Sequence, residues 1–227
     1  MRILYLIAAR AGSKGLPGKN TKMLGGKPLI QYSVEFAMNN IKEGDEICVS
    51  SNDQEVLNIA SDLGISIPFK RPEELSTDTS SSYDVILHAI KFYENQNKHF
   101  DSVVLLQPTS PFRKSEDLQK MILSYKEDVE MVVTVKNSKE NPYFTLFEEN
   151  ESGFLKKSKE GHFDRRQDCP KVFAFNGSIY LYRISSLKEK KVSEFTKIKK
   201  VVMPEERSID IDTMADWILA EYYLDKQ

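Results

Sequence analysis

The 227 residues carry a formal net charge of −2, with 32 Lys and Arg against 34 Asp and Glu. That balance argues against a general nucleic-acid binder, which is usually clearly basic. Hydrophobic residues make up 40% of the chain, enough for a real core in one α/β domain with a substantial insertion, or at most two small domains. No apolar run approaches the ~18 residues of a membrane span, and the N-terminus lacks a signal-peptide layout. We therefore expect a cytoplasmic protein with neither membrane nor nucleic acid as partner. Cys48 and Cys169 lie far apart and read as reduced thiols. His88, His99 and His162 are too scattered to make an ordinary zinc site with them.

In chain order, Ile3 to Ala8 is a short apolar run closed by a glycine-rich loop, which predicts a buried strand. Pro28 to Asn39 reads as a helix with Pro28 in its first turn. Glu46 to Ser50 is a second strand. Asp53 to Leu63 is a helix with Val56, Leu57, Ala60 and Leu63 on its apolar face, ended by Gly64. Ile65 to Phe69 is expected as a third strand, Ser80 to Asn95 as a helix, Ser102 to Leu106 as a fourth strand, Ser115 to Tyr125 as a helix capped by Ser115, and Met131 to Val135 as a fifth strand. Strands alternating with helices predict a mainly parallel sheet covered on both faces. The near-continuous apolarity of these strands agrees, because strands buried on both sides do not alternate.

From about residue 136 to 175 the texture changes. Y-F-T-L-F-E-E and G-F-L-K-K-S predict a hairpin, and a polar, basic segment follows. This is an excursion from the core, a lid or a dimer arm. G-S-I-Y-L-Y-R and I-K-K-V-V-M then return as strands. Thr213 to Asp225 is a closing helix with Trp217, Ile218, Ala220 and Leu224 on its buried side.

Four stretches carry chemistry. A-R-A-G-S-K-G-L-P-G-K-N follows the first strand. It fails the Walker A count and the dinucleotide fingerprint, since Gly12, Gly15 and Gly18 are spaced wrongly for both. Backbone N–H groups of a glycine-rich turn can still nest an anion, and Arg10, Lys14 and Lys19 add charge suited to a polyphosphate and its leaving group. The competing account is an exposed turn with solvated lysines. In S-I-D-I-D-T, residues 208–213, an extended backbone puts Asp210 and Asp212 on one face and Ile209 and Ile211 on the other. Two adjacent carboxylates repel unless a cation joins them, and Mg²⁺ takes one or two carboxylates plus substrate phosphates. The alternative is that Asp212 or Thr213 caps the closing helix while Asp210 is exposed. R-P-E-E-L-S-T-D-T-S-S-S, residues 71–82, offers hydroxyls and a helix N-terminus to a base, ribose or phosphate, or is simply a well-capped helix start. L-L-Q-P-T-S-P-F-R, residues 105–113, places Gln107 and Arg113 at a strand end, within reach of a ligand. Arg165 and Arg166 on the excursion either clamp a carboxylate or stay solvated.

Those stretches, with R-P-E-E-L, D-T-S-S and N-G-S-I-Y between them, occur in the order in which they stand in the acylneuraminate cytidylyltransferases, or CMP-sialic acid synthetases. The resemblance runs from Ile3 to the closing helix, and the chain looks like the short bacterial form. It implies a three-layer, mainly parallel Rossmann-like nucleotidyltransferase sheet in a single domain, with a small inserted cap or dimerisation excursion at about 136–175. It implies that CTP and a nine-carbon α-keto sugar acid, a sialic acid or related nonulosonic acid, give the CMP-sugar and pyrophosphate with Mg²⁺. On this resemblance Lys14, Lys19 and Asp212 are catalytic. Arg10, Gly12, Ser13, Lys14, Lys19, Asn20, Arg71 and Ser82 hold the nucleotide. Gln107, Arg166 and Tyr180 hold the sugar, and Asp210 and Asp212 the metal. The family is a homodimer in which one subunit's cap reaches over its partner's site.

Two positions depart from the bacterial sialic-acid pattern. Ala174 and Phe144 stand where that pattern has basic residues, which leaves legionaminic acid, pseudaminic acid and KDN open as substrates. A CMP-Kdo synthetase is a nearby rival, disfavoured by Ser13, Lys14, Gly15 and the Gln107 loop. A nucleotide-sugar glycosyltransferase commonly has its D-x-D near the middle of the sequence, and a non-catalytic regulator has less need of both leaving-group charge and metal carboxylates.

Overall fold

The computed structural model describes residues 1–12 and 15–226. Strand β1 (Ile3–Ala8) leads through the glycine-rich loop to a two-residue ladder, β2 (Met23–Leu24) with β3 (Lys27–Pro28), and into helix α1 (Leu29–Met38). Next come β4 (Glu46–Ser50), α2 (Gln54–Asp62), α3 (Ser82–Glu94) and β5 (Ser102–Leu106). Then follow α4 (Ser115–Ser124), β6 (Met131–Asn137) and the excursion's hairpin β7 (Phe147–Glu149) and β8 (Leu155–Lys157). The chain closes with β9 (Phe173–Arg183), α5 (Ile184–Glu189), β10 (Ile198–Val202) and α6 (Met214–Leu224).

Six strands make the central sheet, in the order β10-β6-β9-β5-β1-β4. β4, β1 and β5 run parallel, as do β10 and β6, and β9 is antiparallel to both its neighbours. The sheet is thus mainly parallel, as expected, with one reversed strand in the middle. That reversal places the N-terminal end of β9 among the C-terminal ends of its neighbours, the edge at which open α/β sheets bind ligands.

Helices cover both faces. Val34, Val56, Leu57, Leu118 and Met121 from α1, α2 and α4 pack on Tyr5, Ile7, Val49 and Leu106. On the other face, Ile86, Ala89 and Ile90 of α3 and Leu187 of α5 pack on Leu4, Leu6, Val103 and Val133. The strands β1, β4, β5 and β6 therefore serve both cores, which is why their sequences are largely apolar, whereas the edge strand β10 buries only Val201. A third, smaller cluster joins Leu16 of the glycine-rich loop, Leu24, Leu29, Phe112, Ile209, Ile211, Trp217 and Ala220. Among the described residues no helix is long and apolar enough to cross a membrane, and Cys48 and Cys169 are free thiols.

Several expectations need correction. Residues 65–69 form no strand. After α2 the N–H of Gly64 binds Ser61 O and that of Ile65 binds Ala60 O, a helix-closing motif. The chain then passes outside the sheet edge, with Ile65 in one core and Phe69 against His88 and Phe92 in the other. Its apolar pattern comes from changing faces rather than from pairing. Ser115 is the first helical residue of α4, not its cap. The Asp117 carboxylate accepts the Lys114 N–H at 3.0 Å and does the capping. Ile218 on α6 is exposed, while Trp217 and Ala220 are buried. Pro28 ends the small ladder and precedes α1 rather than lying in its first turn. The sheet pairing runs on to Asn137↔Phe173, so the excursion spans 138–172.

Candidate active site

The cleft lies at the C-terminal ends of β1 and β5. It has a volume of about 480 Å³ and is walled by Arg10, Gly15, Lys19, Asn20, Gln107, Thr109, Asp210 and Asp212, among others. Two loops and one extended segment thus converge, each anchored from behind.

The glycine-rich loop is held by Leu16, whose side chain is buried in the third cluster. From that anchor the Lys19 side chain runs inward and its Nζ donates to the Ile211 carbonyl and to Asp212 Oδ1, both at 2.8 Å. Asn20 is buried and donates to the Arg10 carbonyl at 3.2 Å, closing the loop on itself. Gly15 is required by close approach, since a Cβ there would stand 2.2 Å from the Asp212 carbonyl oxygen. Loop and acidic segment therefore touch backbone to backbone. The Arg10 guanidinium pairs with Asp78 at 2.7 Å, tying the 71–82 loop to the rim.

The 208–213 segment has the predicted alternation. Ile209 and Ile211 are buried against Trp217 and Leu16, and Asp210 and Asp212 face the cleft. Helix capping falls to Thr213, whose hydroxyl exchanges hydrogen bonds with Asp216, so the two upstream carboxylates remain available. Burial raises the Asp210 carboxyl above its usual range. A hydrogen bond from Thr109 opposes this, the Asp212 charge adds to it, and the Lys19 charge lowers it.

Three residues that the sequence reading did not rank brace this segment. Asn176 at the start of β9 is buried. Its Oδ1 accepts from the Thr134 hydroxyl at 2.8 Å and its Nδ2 donates to Ser208 Oγ at 2.9 Å, linking sheet to acidic segment. Gly177 has φ +73°, and a Cβ there would lie 2.9 Å from Asp210 Oδ2. The Asn-Gly pair within an apolar strand was the signal that could have found both. Thr109 supplies the hydrogen bond to Asp210, and its carbonyl accepts the Ile211 N–H at 2.8 Å.

Arg113 corrects an expectation. It is buried beneath the loop rather than facing a ligand, donating to Ser33 Oγ at 2.7 Å and to the carbonyls of Gln107 and Ser110. Burial depresses its pKa to about 9, with Asp210 opposing the shift. It holds the Q-P-T-S turn in shape.

Of the predicted site residues, the structure brings Arg10, Lys19, Asn20, Gln107, Asp210 and Asp212 into one cleft. Gly12 borders an adjoining notch with Arg10, Lys19 and Asn20. Arg71, Ser82, Tyr180 and Arg166 are not in the cleft wall. Arg71 is buried, bonded to the Ser50 hydroxyl at 3.0 Å and the Ser50 carbonyl. Its pKa falls to about 10 through burial, with the Arg10 charge contributing. Ser82 is the exposed first residue of α3, which Ser81 caps. Tyr180 is half-buried in β9, stacked on Tyr182, with the Gly177 N–H at its hydroxyl. Arg166 lines a separate hollow at the base of the excursion, with Asn137, Ser138 and Asn141. Ser13 and Lys14 lie outside the described residues.

The sequence profile of the family described as Cytidylyltransferase matches residues 4–222. The chain belongs to the cytidylyltransferase family. A CMP-N,N'-diacetyllegionaminic acid synthase of Legionella pneumophila is 35% identical over 222 residues, covering 97% of this chain and 95% of its own. A pseudaminic acid cytidylyltransferase of Campylobacter jejuni is 32% identical, covering 95% of this chain and 93% of its own. An N-acylneuraminate cytidylyltransferase of Streptococcus agalactiae is 33% identical over 96% of this chain, which spans 52% of that longer protein. Among solved structures, a CMP:2-keto-3-deoxy-manno-octonic acid synthetase complexed with CTP superposes with a TM-score of 0.70 over 100% of this cytidylyltransferase and 99% of its own chain, at 18% identity. That likeness speaks for the fold.

Proposed function

We propose that this cytidylyltransferase transfers the CMP moiety of CTP to the anomeric hydroxyl of a nonulosonic acid, releasing pyrophosphate. The observation that carries the reading is one cleft lined by both a cationic loop and an acidic pair. In this reaction the anomeric oxygen attacks the α-phosphorus in line, the bond to the β-phosphate oxygen breaks, and the hydroxyl proton is lost. Little covalent chemistry falls to the protein, and catalysis comes from positioning and from charge placed where charge develops. Arg10, Lys19 and Asn20 hold the triphosphate, joined by Lys14 of the same loop. Gln107, in the cleft wall, orients the sugar.

The residues present fit a divalent cation. Asp210 and Asp212 line the cleft together. Burial, with the Asp212 charge adding to it, raises the Asp210 carboxyl, and a bound cation would favour its charged form. Mg²⁺ bound there would neutralise charge on the phosphates.

The exposed Phe147, Phe154 and Leu155 of the hairpin support a homodimer in which each excursion covers the partner's site. Arg166, remote from its own cleft, then meets the sugar carboxylate in the other subunit. A CTP-consuming enzyme of this kind works in the cytoplasm. The test is pyrophosphate release with CTP and Mg²⁺ against N-acetylneuraminic, legionaminic, pseudaminic, KDN and Kdo substrates. Release with one nine-carbon acid identifies reaction and substrate together. Silence with all of them, in protein that still binds CTP, overturns the reading.

A further inference from the structure

The Lys19 ammonium is oddly placed for a group whose work is on phosphate. It is almost fully buried, and its partners are a main-chain carbonyl and a carboxylate oxygen, each 2.8 Å away. Such hard oxygens are what a divalent cation takes. Its charge also reaches Asp210, the second carboxylate of the pair. Asp212 itself is well exposed, with 69% of its side chain accessible against 10% for Lys19. The carboxylate can therefore be reached from the cleft, while the ammonium already occupies its inner side.

We infer that Lys19 is a built-in counter-cation. In the nucleotide-free protein its ammonium fills the cation position of the acidic pair, and it yields that position to a divalent ion only when a triphosphate arrives to receive it. This rests on the phosphate and metal roles given above and adds an order of events to them. Without the ammonium, Asp210 and Asp212 would face each other uncompensated near a buried loop, which costs free energy. With it, one of the two carboxylate charges is offset and that wall resists bare metal. The exchange needs no backbone movement. Leu16 anchors the loop and the Lys19 N–H is bonded to the Leu16 carbonyl at 3.2 Å, so rotation of the four-carbon stem suffices.

The experiment titrates Mn²⁺ as the probe into nucleotide-free protein, read by calorimetry and by the loss of the free-ion paramagnetic resonance signal. Wild-type protein should half-saturate only at about 1 mM or above, at the weak end of protein–cation affinities. Lys19→Met should bind Mn²⁺ at least about tenfold more tightly, because a unit charge a few ångströms from the ion is gone. The double variant Lys19→Met/Asp212→Asn should lose that gain. In unmodified ¹⁵N-lysine-labelled protein, the protected Lys19 ammonium resonance should persist with Mg²⁺ alone and shift when Mg²⁺ is added with α,β-methylene-CTP. Equal or weaker Mn²⁺ binding by Lys19→Met overturns the inference. So does micromolar Mn²⁺ binding by the nucleotide-free wild type, which would leave the metal assignment standing and remains decisive if the variant fails to fold. Absence of Mn²⁺ binding even with the methylene analogue removes the metal assignment and this inference together.

Discussion

Around the cleft, each polar side chain facing the ligand edge is backed by something fixed. Asp210 and Asp212 alternate with Ile209 and Ile211, which are locked against Trp217. The Gln107 turn rests on buried Arg113, and Asn176 ties β9 to the acidic segment. The excursion at 138–172 is built differently. Asn141 organises its base, accepting the Tyr143 N–H and donating to the Pro170 carbonyl. Beyond that it has a short hairpin and the Tyr143–Phe163 ring contact, while Phe154 and Leu155 stand 71% and 70% exposed. One region spends its apolar residues on rigidity within its own fold. The other leaves them outward. Under the function proposed above, chemistry that tolerates little displacement falls to the first and recognition that must differ between sugars to the second.

That contrast can be broken or sharpened in graded steps. Asp212→Ala should give the largest effect, a loss of turnover of about 10³-fold or more, in a folded protein whose melting temperature is lowered because the nearly buried Lys19 ammonium loses its carboxylate. Retained pyrophosphate release would take Asp212 out of the chemistry. Gly177→Ala should reduce kcat by roughly 10- to 100-fold, since misplacement of about 1 Å has that cost, and destabilise the fold by about 1–3 kcal/mol through the strained positive φ. Wild-type kinetics and melting would show that Asp210 does not depend on the missing Cβ. Arg166→Ala should raise the KM for sugar by about tenfold, the value of a lost charge-assisted bond, and leave the KM for CTP nearly unchanged. The reverse pattern would move Arg166 away from the sugar. Phe154→Ser with Leu155→Ser should convert the proposed dimer to a monomer on size-exclusion chromatography, while changing monomer stability by less than about 0.5 kcal/mol. A larger loss would mean that the hairpin packs within its own subunit.

The smallest effect concerns pH. Lys190 and the backbone N–H groups of Lys197 and Thr196 hold the Glu130 carboxyl down to about 2, against about 4.3 in an unfolded protein. A depressed folded value favours the native state above the unfolded pKa and is lost as pH falls through about 4 toward 2. Melting curves of Glu130→Gln should therefore lie below wild type at neutral pH and converge with it in acid. Parallel curves across that range would assign this carboxylate a neutral role.

Much of the cleft was legible because local rules suffice for it. The period-two pattern of S-I-D-I-D-T fixes which residues are buried and which face out, and the apolar strands β1, β4 and β5 have the predicted limits. What escaped depends on tertiary context. The run at 65–69 is apolar enough for a strand, but it lies beyond the edge strand β4 and serves two cores instead. Arg113 carries the same charge as Arg10, and only burial separates a brace from a ligand contact. Gly15 and Gly177 matter through atoms nearly two hundred and about thirty residues away, distances at which no local pattern reports.

The reversed strand β9 has one more consequence. Because it runs against β6, the chain leaves the sheet at Asn137 and re-enters it at Phe173, and these two residues are cross-strand partners. The segment between them is a closed bight whose two ends are a single strand spacing apart, about 5 Å. A segment of different length can in principle span the same two ends, since loop closure grows only slowly more costly with length. The architecture thus works as a socket. The cleft residues stay with the sheet while the insert can vary on its own footing.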